Sequence, residues 1–338
     1  MKFTGFKGRA PWGLLVAAIA TSGFAAHRQW TAAPLPPEMC LETADRPSAP
    51  AAGMVWIAGG TFQMGSNDFR AEEAPARAVT VGGFWIDVHD VTNAQFARFV
   101  RETGYVSLAE RGDGRGPPGS LVFVAPSEIR DLQDLTQWWK FMPGASWRHP
   151  EGSSSDIVRR RHHPVVHVAY EDALAYARWA GRALPTEAQW ELAARAGRDG
   201  DTFTWGDAPD TDAEPRANHW RGVFPLFNSG SKGYFGTAPV GCFPANGYGL
   251  YDMAGNVWQW TVDPWADGGG QATGSKPSSA GTEFRVIKGG SFLCANNFCR
   301  RYRPAARQPG EAAGGAAHIG FRTVLAAPGA GTGPTLGR

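Results

Sequence analysis

The chain has little cysteine: four residues in 338. That is too few for a disulfide scaffold, and no second cysteine pair or histidine motif completes a four-ligand zinc site. Neither sign of charge is in excess, with 33 Lys plus Arg against 31 Asp plus Glu, so nothing in the balance points to nucleic acid. Beyond the first thirty residues no apolar run is long enough to span a bilayer. Internal repeats are absent as well. What is abundant is 14 Trp, 19 Phe, 44 Gly and 25 Pro, bulky core material together with breakers of regular structure. That mixture describes a packed, loop-rich globule with short elements rather than a helical bundle. The length allows two domains and is compatible with one.

The N-terminus carries Lys2, Lys7 and Arg9 ahead of an apolar stretch over 12–20 and small residues up to Ala26. A basic start, a short apolar run and alanine-rich cleavage options fit a secretory signal or an uncleaved anchor over 1–30. Export or membrane anchoring follows as the expectation, with a cytoplasmic protein from a later start as the alternative. Residues 31–53, rich in Pro and Ala, read as a linker. The globule then runs over 54–325, and the Gly/Pro/Ala tail 326–338 lacks the apolar content to fold.

Two apolar runs flank Gly59-Gly60, a hairpin signal, and 84–91 alternates like a strand. A helix follows, capped by Thr92 with Gln95 three residues on. Phe96, Phe99 and Val100 form its apolar stripe, and Gly104 ends it. A second helix is expected over 171–180, stopped by Gly181. A third starts at Thr186 with Gln189, turns Trp190, Ala193 and Ala194 inward, and stops at Gly197. Strands are expected in FRVIKGGS and HIGFRTV, and 105–163 is the least regular part. The run Arg159, Arg160, Arg161, His162, His163 reads as a solvated loop, with contact to an anionic surface as the alternative.

Cys294 and Cys299 lie in VIKGGSFLCANNFCRRYRPAAR, residues 286–307. At that offset a strand points them to opposite faces, and a helix splays them too. Their sulfurs converge only if the backbone bends, and Asn296-Asn297 is suited to bending. A converged thiolate pair without histidine suits Cu(I). Arg300, Arg301, Arg303 and Arg307, folded close by, would lower the thiol pKa values. From spacing alone a Cys294–Cys299 disulfide and a pair of inert buried thiols remain open alternatives.

The strings MVWIAGGTFQMGS, PVVHVAYEDALAYARWAGRALPTEAQWELAARAG, NGYGLYDMAGNVWQWTVD, VIKGGSFLC and HIGFRTV occur in that order. Together they resemble the sulfatase-modifying factor family over essentially the whole globule. The resemblance implies an α+β fold related to C-type lectin-like domains, with few helices and short strands in long loops. GGSFLCANNFCRRYR is the more specific stretch, because non-catalytic relatives generally lack the cysteine pair. For this chain the resemblance implies a copper-dependent oxidase. It would use dioxygen and a thiol reductant to convert a cysteine in a C-x-P-x-R motif of an unfolded sulfatase to Cα-formylglycine. Cys294 and Cys299 would be the copper ligands and Ser291 an active-site serine. A hydroxyl at such a strand end also bonds backbone readily.

The resemblance further implies calcium. One family site maps to Asp252, the carbonyls of Gly255 and Val257, and Gln259, with carboxylate and amide exchanged relative to the usual order; oxygen donors of that kind suit Ca²⁺. The other maps to Asn218, the carbonyls of His219 and Tyr234, and an acid position that is Lys232 here, so that site is expected to be empty or filled by the Lys232 ammonium. Cys40, in the linker, and Cys242 are left unpaired, Cys242 as a small buried residue, and the core is expected to hold without cross-links. A non-catalytic peptide- or sugar-binding module of the same fold, with Cys294 and Cys299 disulfide-bonded, is the alternative function. An iron-dependent sulfoxide synthase ranks last, since the linker leaves no room for an added helical domain. The expected partner is an unfolded sulfatase polypeptide, and the default state is a monomer.

Overall fold

A computed structural model describes residues 38–41, 43, 49–114, 116–266 and 282–326. The expected signal or anchor and the tail beyond Ala326 lie outside the described residues. No helix among the described residues is long and apolar enough to cross a membrane.

In chain order the elements are β1 (Met54–Ile57), β2 (Gly60–Met64), β3 (Arg77–Val81), β4 (Phe84–Asp87), α1 (Asn93–Thr103), α2 (Leu108–Arg111), β5 (Gly119–Phe123), β6 (Trp139–Pro143), α3 (Tyr170–Trp179), α4 (Glu187–Arg195), β7 (Gly222–Val223), β8 (Phe227–Asn228), β9 (Trp258–Pro264), β10 (Phe284–Lys288), β11 (Arg307–Glu311), β12 (Ile319–Gly320) and β13 (Val324–Ala326). They form a three-stranded sheet β1-β4-β13, a four-stranded sheet β11-β10-β9-β12 and three two-stranded ribbons, β2-β3, β5-β6 and β7-β8. This is the expected α+β architecture, short elements in long loops. The irregular segment is more ordered than its sequence suggests, because β5 and β6 pair antiparallel within it.

The capping signals hold at atomic detail. In α1 the Thr92 hydroxyl accepts from Gln95 N at 3.3 Å and Gln95 Oε1 accepts from Thr92 N at 2.9 Å. Gly104 closes the helix at φ 70°. In α4, Thr186 and Gln189 repeat the exchange at 3.0 and 2.9 Å. That helix ends at Arg195, and its C-cap falls one residue before the expected glycine, with Ala196 itself left-handed at φ 50°.

Gly59-Gly60 does not make a hairpin. β1 pairs with β4 and β2 with β3, so the two runs enter different sheets. Gly59 is needed for close approach: a Cβ there would lie 2.6 Å from the backbone of Val81, Gly82 and Gly83. Two neighbouring glycines signalled a sharp change of direction, and only the packed neighbour decides whether it is a turn or a crossing.

The main core gathers Phe96, Phe99, Trp147, Tyr176, Trp258, Trp260 and Phe321, and it includes Cys294 and Tyr302. Trp190 of α4 fills a second cluster with Ile57, Phe62, Phe84 and Ile86. Arg322, from the HIGFRTV string, is fully buried and ties the sheets together. It donates to the Asp87 carbonyl at 3.1 Å and to the Tyr251 carbonyl at 2.8 Å.

Cys40 and Cys242 form a disulfide, with Cα atoms 4.9 Å apart across 202 residues of sequence. The expectation that both are unpaired and that the core carries no cross-link is therefore corrected. Contacts around the bond explain the meeting. Leu41 fills the space above Gly241, where a Cβ would come within 2.7 Å of it. Glu38 pairs with Arg159 at 2.6 Å, and Thr43 Oγ1 meets His162 Nδ1 at 3.1 Å. These contacts also revise the basic run. Arg160 pairs with Glu151 and His163 is buried, so much of its charge is used within the fold.

Candidate active site

The site begins where β10 ends. Gly290 has φ +73°, and a Cβ on it would sit 2.9 Å from the backbone of Arg301 and Tyr302. The chain therefore leaves the sheet, forms a loop and passes back over its own start, which a side chain at 290 would block. Within the loop, Cys294 N donates to the Ser291 carbonyl at 3.0 Å. Ala295 and Phe298 exchange hydrogen bonds at 2.8 and 3.2 Å, so the chain turns at Asn296-Asn297 as the sequence suggests. The left-handed residues are Cys299 and Arg300, at φ 70° and 48°. Neither is a type that adopts this region readily. The Arg300 N–H bonds the carbonyls of Ala295 and Phe298, which holds the conformation.

This geometry swings the two sulfurs together. Cys294 and Cys299 are both free thiols, near enough that each shifts the titration of the other. The only disulfide among the described residues is the distant Cys40–Cys242, so the expected alternative of a Cys294–Cys299 bond is not what this structure contains. Burial pushes the Cys294 thiol well up, and its contact with Cys299 adds to the effect. Burial acts the same way on Cys299 but is outweighed by the neighbouring Cys294 thiol and by the Arg301 guanidinium, which bring it down.

Of the four arginines, Arg301 is the one whose charge acts on a sulfur, lowering Cys299, and Glu72 pairs with it at 2.6 Å. Arg303 is buried in a two-pronged pair with Glu73. Arg307 pairs with Glu187 at 2.8 Å, and Arg300 is exposed. Lys288, at the end of β10, is fully buried with Glu191 at 2.9 Å and Glu187 at 3.5 Å, so ion pairs underlie the loop.

An aromatic wall stands beside Cys299. Phe298 stacks on Phe224 at 4.4 Å and meets Trp138 edge-on at 5.7 Å. Asn297 and the Phe224 backbone exchange hydrogen bonds at 3.2 Å, which fastens the wall to the turn. Val223, Leu226, Phe227 and Phe235 are exposed on the neighbouring segment. Sequence reading did not single out this segment, GVFPLFN, although apolar residues around a proline without helical or strand period were visible there.

Ser291 is fully buried, and its hydroxyl accepts from Leu293 N at 3.2 Å. It shapes the turn that leads to Cys294.

No group of three or more His, Cys, Asp or Glu able to hold a metal occurs among the described residues. Two soft sulfurs alone fit Cu(I), which accepts low coordination by thiolates, and do not fit zinc. The calcium sets fare differently. Gln259 Oε1 already accepts from Trp190 Nε1 at 2.6 Å and from Arg322 Nε at 2.7 Å, while its Nε2 donates to the Asp252 carbonyl at 2.9 Å. A carbonyl oxygen has two lone pairs, so Gln259 has none left for a cation, and rotating the amide would set NH₂ against two donors. Asp252 accepts from Gly241 N at 2.9 Å, and burial raises its carboxyl to about 6. The set Asp252, Gly255, Val257 and Gln259 does not fit Ca²⁺ as arranged. At the other set, Asn218 donates to the Gly236 carbonyl at 2.9 Å, and Ser231 donates to the carbonyls of His219 and Tyr234 at 2.9 and 3.0 Å. The Lys232 ammonium turns to the Cys242 carbonyl at 2.7 Å, over the Phe243 ring.

Residues 41–327 match the model of the sulfatase-modifying factor enzyme 1-like domain. The chain belongs to the sulfatase-modifying factor family. It is 49% identical over 290 residues to the formylglycine-generating enzyme of Mycobacterium tuberculosis, covering 80% of this chain and 97% of that protein. It is also 39% identical over 288 residues to the inactive C-alpha-formylglycine-generating enzyme 2 of Mus musculus, covering 81% and 86%. Among solved structures, PvdO from Pseudomonas aeruginosa superposes with a TM-score of 0.57 at 24% identity, covering 84% of this chain and 99% of that one. That likeness concerns the fold alone. Because the family includes a relative named inactive, the cysteine loop rather than the scaffold has to carry the functional argument.

Proposed function

We propose that this member of the family matures sulfatases as a copper-dependent oxidase, converting the cysteine of a C-x-P-x-R motif in an unfolded client to Cα-formylglycine. The observation that carries the reading is the meeting of two free thiols, one buried and one partly exposed, at the end of a glycine-bounded loop.

Converting a cysteine methylene to an aldehyde with release of sulfide is a two-electron oxidation. Reduction of dioxygen to water takes four electrons, so a thiol reductant supplies the other two. No protein side chain activates dioxygen alone, and Cu(I) held by Cys294 and Cys299 supplies that redox chemistry. The chain's own residues do the rest. Cys294 and Cys299 would give up their protons to hold the metal, and Arg301 balances charge at the partly exposed sulfur. Phe224, Phe298 and Trp138 keep water from one side. The exposed apolar segment around Phe227 and Phe235 offers a surface to an extended client, and Ser291 fixes the turn that orients Cys294. We further propose a monomeric protein exported or anchored at a membrane, where a disulfide such as Cys40–Cys242 persists.

The test is aerobic incubation of the copper-loaded protein with reductant and a C-x-P-x-R peptide. Gain of an aldehyde with loss of the peptide thiol is expected, and neither Cys294→Ser nor Cys299→Ser should turn over. A copper-loaded wild-type protein that leaves the peptide unchanged would sink the reading.

A further inference from the structure

The Cys299 turn is strained, and its local backbone hydrogen bonds are the Ala295–Phe298 exchange and those donated by Arg300 N. The rest of its support comes from the far end of the chain. Residues 66–76, which connect β2 to β3, lie along the 299–303 run and meet it residue by residue. Arg70 Nη2 donates to the Cys299 carbonyl at 2.8 Å. Glu72 accepts from Arg301 at 2.6 Å. Glu73, 2% exposed, takes Arg303 with both oxygens. The Phe69 ring lies 3.8 Å from the Arg303 guanidinium, and Arg303 Nε in turn donates to the Arg300 carbonyl at 3.0 Å. Two of these contacts grip the Cys299 backbone and the cation that acts on its sulfur, and the third anchors Arg303 just beyond them. Without them the Arg300 N–H bonds to Ala295 and Phe298 would be left as the main restraint on two left-handed, non-glycine residues, whose relaxation toward the right-handed region would carry the Cys299 side chain away from Cys294.

We propose that the segment 66–76 is a strap that positions Cys299 for the metal, with Arg70 and Glu72 as positioning residues acting through the Cys299 carbonyl and Arg301. The proposal rests on the reading of Cys294 and Cys299 as the copper pair. Glu73 anchors the strap and is left untouched in the test, because its removal would strand buried Arg303.

The experiment compares wild type, Arg70→Ala, the double variant Arg70→Ala with Glu72→Gln, and Arg70→Lys. Three quantities are read: thermal midpoint, Cu(I) affinity by competition with a chelator, and the separate alkylation rates of Cys294 and Cys299 by peptide mapping of the metal-free, reduced protein. Groups that orient metal ligands from behind are worth about 10- to 100-fold in affinity. The double variant should lose that much at a near wild-type midpoint, with Cys299 alkylated faster and Cys294 unchanged. Arg70→Lys should recover part of the loss. Wild-type copper affinity in the folded double variant overturns the strap. Should the double variant fold poorly, the exposed single change Arg70→Ala decides by the same criterion. If wild type itself takes up no Cu(I), the copper reading fails separately, and the Cys299 alkylation rate then decides: unchanged in the variant, it refutes the strap.

Discussion

Replacing Cys40 and Cys242 together with serine tests the least expected feature of the fold. The bond closes a loop with a sequence separation of 202. The chain-entropy relation for a loop of that size gives about 5 kcal/mol at 25 °C. For a chain this long, that corresponds to a fall in thermal midpoint of roughly 10 °C. The value is a ceiling, since residual structure in the unfolded chain already limits its freedom. The loss should be uneven. Apart from the disulfide, residues 38–41 and 43 are held by the exposed pair Glu38–Arg159, by Thr43 against His162, and by Leu41 over Gly241. An exposed pair contributes about 0–1 kcal/mol, so the segment should detach and become protease-sensitive while the globule stays folded. The assays are thermal melts under non-reducing conditions, limited proteolysis, and a free-thiol count on denatured, unreduced wild-type protein. That count should be two, Cys294 and Cys299. A count of four, or a variant melting alongside wild type, would refute the reasoning.

Calcium should leave the wild-type melting temperature unchanged, because Gln259 has no free oxygen; Gln259→Glu adds one facing Asp252 and should gain stability with calcium concentration, and a wild-type response to calcium or to chelator would contradict this. Glu191→Ala takes the nearer carboxylate from buried Lys288 and the only carboxylate paired with buried Arg195 among the described residues and should cost about 3–5 kcal/mol in urea unfolding; a loss under 1 kcal/mol would mean the pairs are replaceable. Acid should destabilise the fold early. Burial lowers His163 and His167 to about 4 and His318 to about 3, against an ordinary value near 6.5. Between those values the unfolded chain binds protons that the folded chain refuses, so stability is intact above pH 6.5 and falls as pH drops toward 4. Urea midpoints across that range check the slope, which should shrink in His167→Gln.

The helices were legible because their signals are local. Thr92 with Gln95, and Thr186 with Gln189, satisfy backbone groups three residues away, so four letters suffice to place each start. The turn at Asn296-Asn297 was legible for the same reason. The family strings spanned the globule, and the cysteine loop within them marked where the chemistry lies. Gly59-Gly60 was misread because a glycine pair allows both a turn and a close crossing, and the deciding neighbour lies across another strand.

By itself the sequence determined the capped helices, the alternation and aromatic content that make an α+β core, the loop that bends between two cysteines, and the family. Tertiary structure alone decided which cysteines bond, which of four arginines acts on a sulfur, that Glu72 and Glu73 arrive from the other end of the chain, and that the Gln259 oxygen is already committed. The physical reason is range. Capping and turn energies act over three or four residues of backbone, whereas thiol pairing, charge balance and lone-pair occupancy depend on what the packed chain brings within a few ångströms.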